Sequence, residues 1–303
     1  MEMVKDLSQK PHESSRSEQT LQDLRWPDLV PIAVAVMLLL WLYHRVFDYW
    51  YVAWMMKESY YSHAILVPFI SGFIVWLKRK QVLETPLRTS ALGYAIVLPG
   101  LFVFLIMTWA GGSSLQGLVF PFILFGLVLT LLGPAMARQL RFPIGYLFFM
   151  CVLPGDVLTK LSFRIQMIST MGATAALRLM GYDAAREGAA INLPNIEVMV
   201  GAPCSGFRML ISLFAFAFLL AYLKEGPRWG RASMIVVTLP LSIILNSLRV
   251  VMIALVGEHY GSDAMHAFHD YSGYIVLALA FVALSLFARL VKCQKFSSML
   301  VSS

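Results

Sequence analysis

Apolar residues run through this sequence in blocks of about twenty, separated by short polar or basic breaks, and the block length decides the reading. A hydrocarbon core about 30 Å thick takes roughly 20 apolar residues per helical crossing. About eight blocks approach that length, near 29–47, 60–77, 91–110, 115–132, 140–155, 206–223, 232–256 and 272–291. Lipid offers no partner to an open backbone, so each block is predicted to be helical. The connection at 156–205 is longer and patterned differently. Leu158, Leu161, Ile165 and Ile168 recur at helical spacing while Lys160 and Arg164 share another face, which predicts an amphipathic helix on the membrane surface over about 157–180. Ile191 and Leu193, then Ile196, Val198 and Val200, alternate around Pro194-Asn195, the mark of a short hairpin. The predicted fold class is an all-α polytopic membrane protein of about eight transmembrane helices, with the amphipathic helix and hairpin in the outer loop before helix 6.

Composition agrees with that pattern. Hydrophobic residues are 59% of the chain and charged residues 14%, and the mean hydropathy of +0.72 lies outside the range of soluble domains. Residues 1–28 carry mixed charges, including Lys5, Asp6, Lys10, Glu13, Arg16, Glu18 and Asp23, and are expected to be a disordered cytoplasmic tail rather than a cleaved signal peptide. Residues 29–292 then form one transmembrane domain and 293–303 a second cytoplasmic tail. The net charge of +7 does not imply nucleic acid, because the basic residues sit in short loops where membrane topology explains them.

Cytoplasmic loops are enriched in Lys and Arg. The 78–88, 133–141 and 224–231 loops and the C-terminal tail hold Lys78, Arg79, Lys80, Arg88, Arg138, Arg141, Lys224, Arg228, Arg231, Arg289, Lys292 and Lys295, so they are predicted to be cytoplasmic. The 111–114 and 257–271 loops have neither Lys nor Arg and should face outward. The 156–205 connection falls outside by alternation despite Lys160, Arg164, Arg178 and Arg186, and long loops obey the rule poorly.

Candidate chemistry collects on the outward side. Cys204 precedes helix 6 in Gly201-Ala-Pro-Cys204-Ser205-Gly206-Phe-Arg208, where helix N–H groups and the Arg208 cation favour a thiolate. Cys151 lies in the apolar run LFFMCVLP and Cys293 in the basic tail, and both read as inert; no CxxC pair suggests a disulfide or zinc framework. Arg249 lies inside helix 7, where a charge costs roughly 2.5–3.5 kcal/mol on insertion scales, so it is expected to face a polar interior or to be paired structurally. His266 and His269 fall in the outer loop before helix 8. A thiolate, an imidazole and a fixed cation are the parts needed for acyl transfer at a peptide carbonyl. Zinc binding by His259, His266, His269 and Asp263 is an alternative, although the spacing matches no established ligand motif. A transporter or channel using Arg249 to bind an anion is the other, without an inverted repeat of broken helices or central paired acids to support it.

The residues Tyr61-Ser62-His63 with Leu66-Val67-Pro68, Cys204-Ser205-Gly206, Asn246-Ser247-Leu248-Arg249 and His269-Asp270-Tyr271-Ser272-Gly273, in that order, resemble the exosortase/archaeosortase family of multi-spanning transpeptidases. The resemblance covers nearly the whole chain after the tail. It implies that Cys204, Arg249 and His269 are the catalytic residues. Cys204 would attack the scissile carbonyl, His269 act as acid and base, and Arg249 stabilise the oxyanion. Arg208 is a rival for the oxyanion role, and His63, Asn246 and His266 are secondary candidates. The implied partners are exported proteins with a C-terminal sorting signal, made of a short motif such as Pro-Glu-Pro, a transmembrane helix and a basic end. The implied location is the outer face of a bacterial cytoplasmic membrane, and no metal or soluble cofactor is implied.

Overall fold

The computed structural model describes residues 20–56, 59–201 and 206–295. Nine α-helices and one small sheet follow in order among them. Helix α1, Trp26–Met55, begins at an Arg25 cap whose backbone N–H donates to Asp28 (3.1 Å). It is longer than the 29–47 block because His44, Arg45 and Asp48 interrupt the apolar run without breaking the helix. Next come α2, Leu66–Leu77, the short α3, Arg79–Leu83, then α4, Tyr94–Ala110, α5, Ser113–Leu131, and α6, Pro134–Tyr146. The expected tail over 1–28 lies mostly outside the described residues; its end holds a single 3-10 turn, Leu21–Asp23, and the start of α1.

The 140–155 block is not one helix. Helix α6 passes into a 3-10 turn, Leu147–Met150, and the chain is extended at Cys151 before α7, Gly155–Leu179. The helical stretches on either side of this break lie at 81° to one another. Pro154 explains the stop, since a proline removes a backbone donor and pushes the preceding residue out of the helical region. Helix α7 occupies the range predicted for the amphipathic segment. The hairpin also forms, β2, Ala190–Asn192, pairing antiparallel with β3, Glu197–Met199. A further strand, β1, Ala185–Glu187, joins the other side of β2 and gives the order β1-β2-β3.

Helix α8, Phe207–Leu223, leads to α9, Arg228–Leu290, and here the structure departs most from the sequence reading. The supposed outer loop 257–271 is helical on both sides of Gly261, whose φ of 86° and ψ of 178° form the break. Such a conformation is almost confined to glycine. Polar residues in 257–271 lowered the hydropathy without ending the helix, which can run beyond lipid into water. The limbs 228–260 and 262–290 fold back on each other: a Cβ on Gly230 would lie 2.6 Å from the Val291 carbonyl oxygen, and one on Gly273 would lie 3.4 Å from Arg249 Nη2. Gly261→Ala is expected to destabilise this turn by about 1–3 kcal/mol, read as a lower melting temperature of the detergent-solubilised protein; an unchanged melt would show that the break does not depend on glycine.

Four helices are long and apolar enough to cross a membrane, Trp26–Met55, Ala91–Ala110, Ser113–Leu131 and Arg228–Leu290, and five if the bent pair counts as one span. Helices α2 and α8 are apolar but fall short of that length, and Arg228–Leu290 enters as one helix although its two limbs fold back on each other, so the fold is polytopic and all-α with four to five spans by length and composition, against the eight expected. Large apolar side chains point outward, among them Trp41, Phe69, Trp109 and Leu290. That surface suits lipid and not water, and the protein is a multi-pass membrane protein. Inside, Tyr43, Trp50 and Phe120 join α1 to α5, with Tyr43 and Phe120 edge to face at 5.0 Å. Helix α8 meets both limbs of α9, Leu213 and Ala217 packing with Met234 of the first limb and with Ala280 and Leu284 of the second. Small side chains let helices approach closely where lipid removes the hydrophobic drive to associate.

Contacts also sort the loops. Lys78 Nζ donates to the Gln139 side chain (2.7 Å), the Arg88 backbone N–H to the Leu132 carbonyl (3.3 Å) and the Glu225 backbone N–H to the Lys295 carbonyl (2.8 Å), and Phe142 stacks on Tyr222 at 3.6 Å to join the two pairs, so the basic segments gather together. At the other end Asn195 donates to Glu258 through its backbone N–H (3.1 Å) and side chain (2.7 Å), and the Tyr182 hydroxyl meets His259 Nε2 at 2.7 Å. The bonds to Glu258 fasten the hairpin to α9.

Candidate active site

A cavity of about 1010 Å3 is walled by the end of α1, the start of α2, α8 and both limbs of α9. His63, Arg208, Asn246, Arg249 and His269 all line it. Cys204 lies outside the described residues. Gly206, two residues after it, lines this cavity, and Gly201, three residues before it, lines a neighbouring pocket.

Gly206 has a φ of 80° and opens α8. A Cβ there would lie 2.8 Å from Asn246 Cγ. Gly206 and Asn246 are therefore matched in space: only a residue without a side chain fits the left-handed turn against a buried asparagine. Arg208 stands in the first turn of α8, and its backbone carbonyl accepts from Ser212 Oγ (3.0 Å). The same Ser212 oxygen lies 3.1 Å from His63 Nδ1, which fixes the α2 entrance to α8.

Arg249 ties the two limbs of α9 together. Its Nε donates to Ser272 Oγ (3.0 Å) and its Nη2 to the His269 carbonyl oxygen (3.1 Å), while Ser272 Oγ also donates to that carbonyl (3.1 Å). The guanidinium fork thus holds the backbone that bears His269, using the planar donor pattern peculiar to arginine. Imidazole Nδ1 of His269 lies 3.2 Å from Asp270 Oδ1. A carboxylate in that position orients the ring and favours the tautomer in which Nε2 accepts a proton. His266 is exposed and lies in the second pocket rather than in the main cavity. The second pocket, of about 280 Å3, shares His269 and Asp270 with the first.

The other cysteines sit apart from these groups. Cys151 is buried and its thiol donates to the Gly117 carbonyl (3.3 Å). Cys293 is buried at the basic end, and burial pushes its thiol pKa up against the opposing pull of Arg231 and Lys224. Among the described residues no three His, Cys, Asp or Glu side chains gather as a metal site, and His259 is engaged with Tyr182.

Three partners escaped the sequence reading. Asp270 and Ser272 stood within the same short motif as His269, so adjacency was a usable signal for them. Ser212 gave none: its link to His63 joins residues 149 apart in the chain.

A bundle of helices with apolar outer faces, enclosing a cavity whose polar end presents arginine, histidine and asparagine, defines a multi-pass membrane protein with a polar site inside its helix bundle. The transmembrane exosortase family model matches residues 50–286, from the end of α1 through nearly all of α9, and the chain belongs to that family of membrane cysteine peptidases and transpeptidases. No curated protein and no solved structure matches it.

Proposed function

We propose that this protein is a membrane cysteine transpeptidase or protease that cleaves the C-terminal sorting signals of exported proteins. The observation that carries the reading is the convergence of Arg208, Asn246, Arg249 and His269, from three helical limbs, in one cavity that Gly206, two residues from Cys204, also lines. The Cys204 thiolate attacks the scissile carbonyl, and Arg249 stabilises the oxyanion that develops. His269, steadied by Asp270, gives a proton to the departing amine as the C–N bond breaks. The acyl group remains on Cys204 as a thioester until water or an amine releases it.

The rest of the cavity suits the apolar helix of such a signal. Away from the polar end it is lined by Ile70, Leu219, Leu277 and Phe281. From Arg208 to Leu219 on α8 the wall extends for about 16 Å at 1.5 Å per residue, enough for three turns of an apolar helix. The gathering of the basic segments at the opposite end supports an orientation with both termini in the cytoplasm and the site at the outer face of a bacterial cytoplasmic membrane.

The test is chemical. Membranes containing the protein and a tagged precursor that ends in Pro-Glu-Pro, an apolar helix and a basic end are treated with hydroxylamine. The expected product is a shortened protein ending in a hydroxamate, detected by mass spectrometry. Persistence of the uncleaved precursor across motif variants would overturn the assignment.

A further inference from the structure

The smaller pocket is not used by the acyl-transfer mechanism, yet it adjoins the same imidazole. It lies between Val198–Gly201 on one side and Val250, Ile253 and Met265 of α9 on the other, with His269 and Asp270 shared with the main cavity. Its first wall is β3, the outer strand of the sheet, with no fourth strand beside it among the described residues. Ladder bonds from Val200 N–H to the Ala189 carbonyl (3.0 Å) and from Leu193 N–H to the Ile196 carbonyl (2.9 Å) fix which residues of the β3 side face β2. In an antiparallel ladder alternate residues point their main-chain groups to the same neighbour. Ile196, Val198 and Val200 therefore turn theirs to β2, and Glu197 and Met199 turn theirs to the open side.

We propose that β3 receives an extended segment of the substrate as an added strand, with the substrate chain running from this pocket past His269 into the main cavity. This inference rests on the proposed function and assigns the occupant of its second pocket: the stretch of exported protein just before the cleaved bond. Three features favour that occupant. The apolar helix that comes after the bond has its place in the larger cavity, so the preceding stretch must leave by another route. Strand addition binds through main-chain groups and holds the peptide extended, with specificity left to side-chain pockets. The receiving strand is also rigidly mounted: Gln166 Nε2 donates to the Val200 carbonyl, and Glu258 holds Asn195 in the hairpin turn. It runs directly into the segment that contains Cys204.

Met199→Pro tests this, because proline removes the N–H that points to the open side and leaves the bonds to β2 intact. The expected result is at least a tenfold lower kcat/KM for precursor cleavage, mainly through KM, while Met199→Ala stays within about threefold of the parent. A second arm covers a misfolded proline variant: a photocross-linking residue at position 199, in the Cys204→Ala protein, is expected to capture the precursor just before its cleavage motif. Normal kinetics for a well-folded Met199→Pro, or capture of lipid only at position 199, would overturn strand addition. Failure of the underlying function would look different, as precursor cleavage by Cys204→Ala itself.

Discussion

Cys204→Ala is expected to abolish processing, with full-length precursor accumulating while the enzyme remains in the membrane at its normal level. A nucleophile acting as part of a unit cannot be replaced by its neighbours, so a fall of roughly 10³-fold or more is anticipated. Cys204→Ser should be almost as inactive. A hydroxyl keeps the size of the side chain but loses the thiolate, which is the reactive form. The measurement is the ratio of precursor to product on a blot, with the melting temperature of each variant as a control for folding. Processing that survives both substitutions would remove Cys204 from the reaction and leave Arg249 and His269 without a nucleophile.

Arg249→Lys is expected to lower kcat by roughly 10²-fold, the scale of losing one oxyanion donor. Lysine keeps the positive charge but is a single point donor. It cannot reach Ser272 Oγ and the His269 carbonyl together as the guanidinium does at 3.0 and 3.1 Å. Two losses therefore combine, a misplaced cation and a less firmly held His269 backbone. Ser272→Ala separates them, because it removes only the positioning bond and should cost much less than the lysine. Arg208→Lys should reduce the rate by less than tenfold. The reverse ranking, with Arg208→Lys the more damaging, would transfer the oxyanion role to the α8 arginine that lines the same cavity.

Much of this site was legible because its motifs are short and local. Arg249 stood out as a charge inside an apolar run, and the burial cost of such a charge points to a polar interior. The spacing of Leu158, Leu161, Ile165 and Ile168 gave α7, and the alternation around Pro194 gave the hairpin. Hydropathy misled where composition and conformation part company. His259, Asp263, His266 and His269 made 257–271 look like a loop, yet only Gly261 leaves the helical region. In the 140–155 block the apolar content was as expected, but Pro154 and the 3-10 turn at Leu147–Met150 divide it. Strand β1 was invisible because Ala185–Glu187 is exposed throughout and carries no alternation. The partnership of His63 with Ser212 depends on how α2 meets α8, which no local pattern encodes.

Helix α9 carries Asn246 and Arg249 on one limb and His269 and Ser272 on the other, so the relative placement of cation and imidazole is written into a single continuous backbone. Each residue added to or removed from a helix turns the remainder of that helix by about 100° and shifts it by 1.5 Å. Between Arg249 and His269 the chain therefore works like a folded ruler creased at Gly261, on which evolution can change the letters but not the number of divisions.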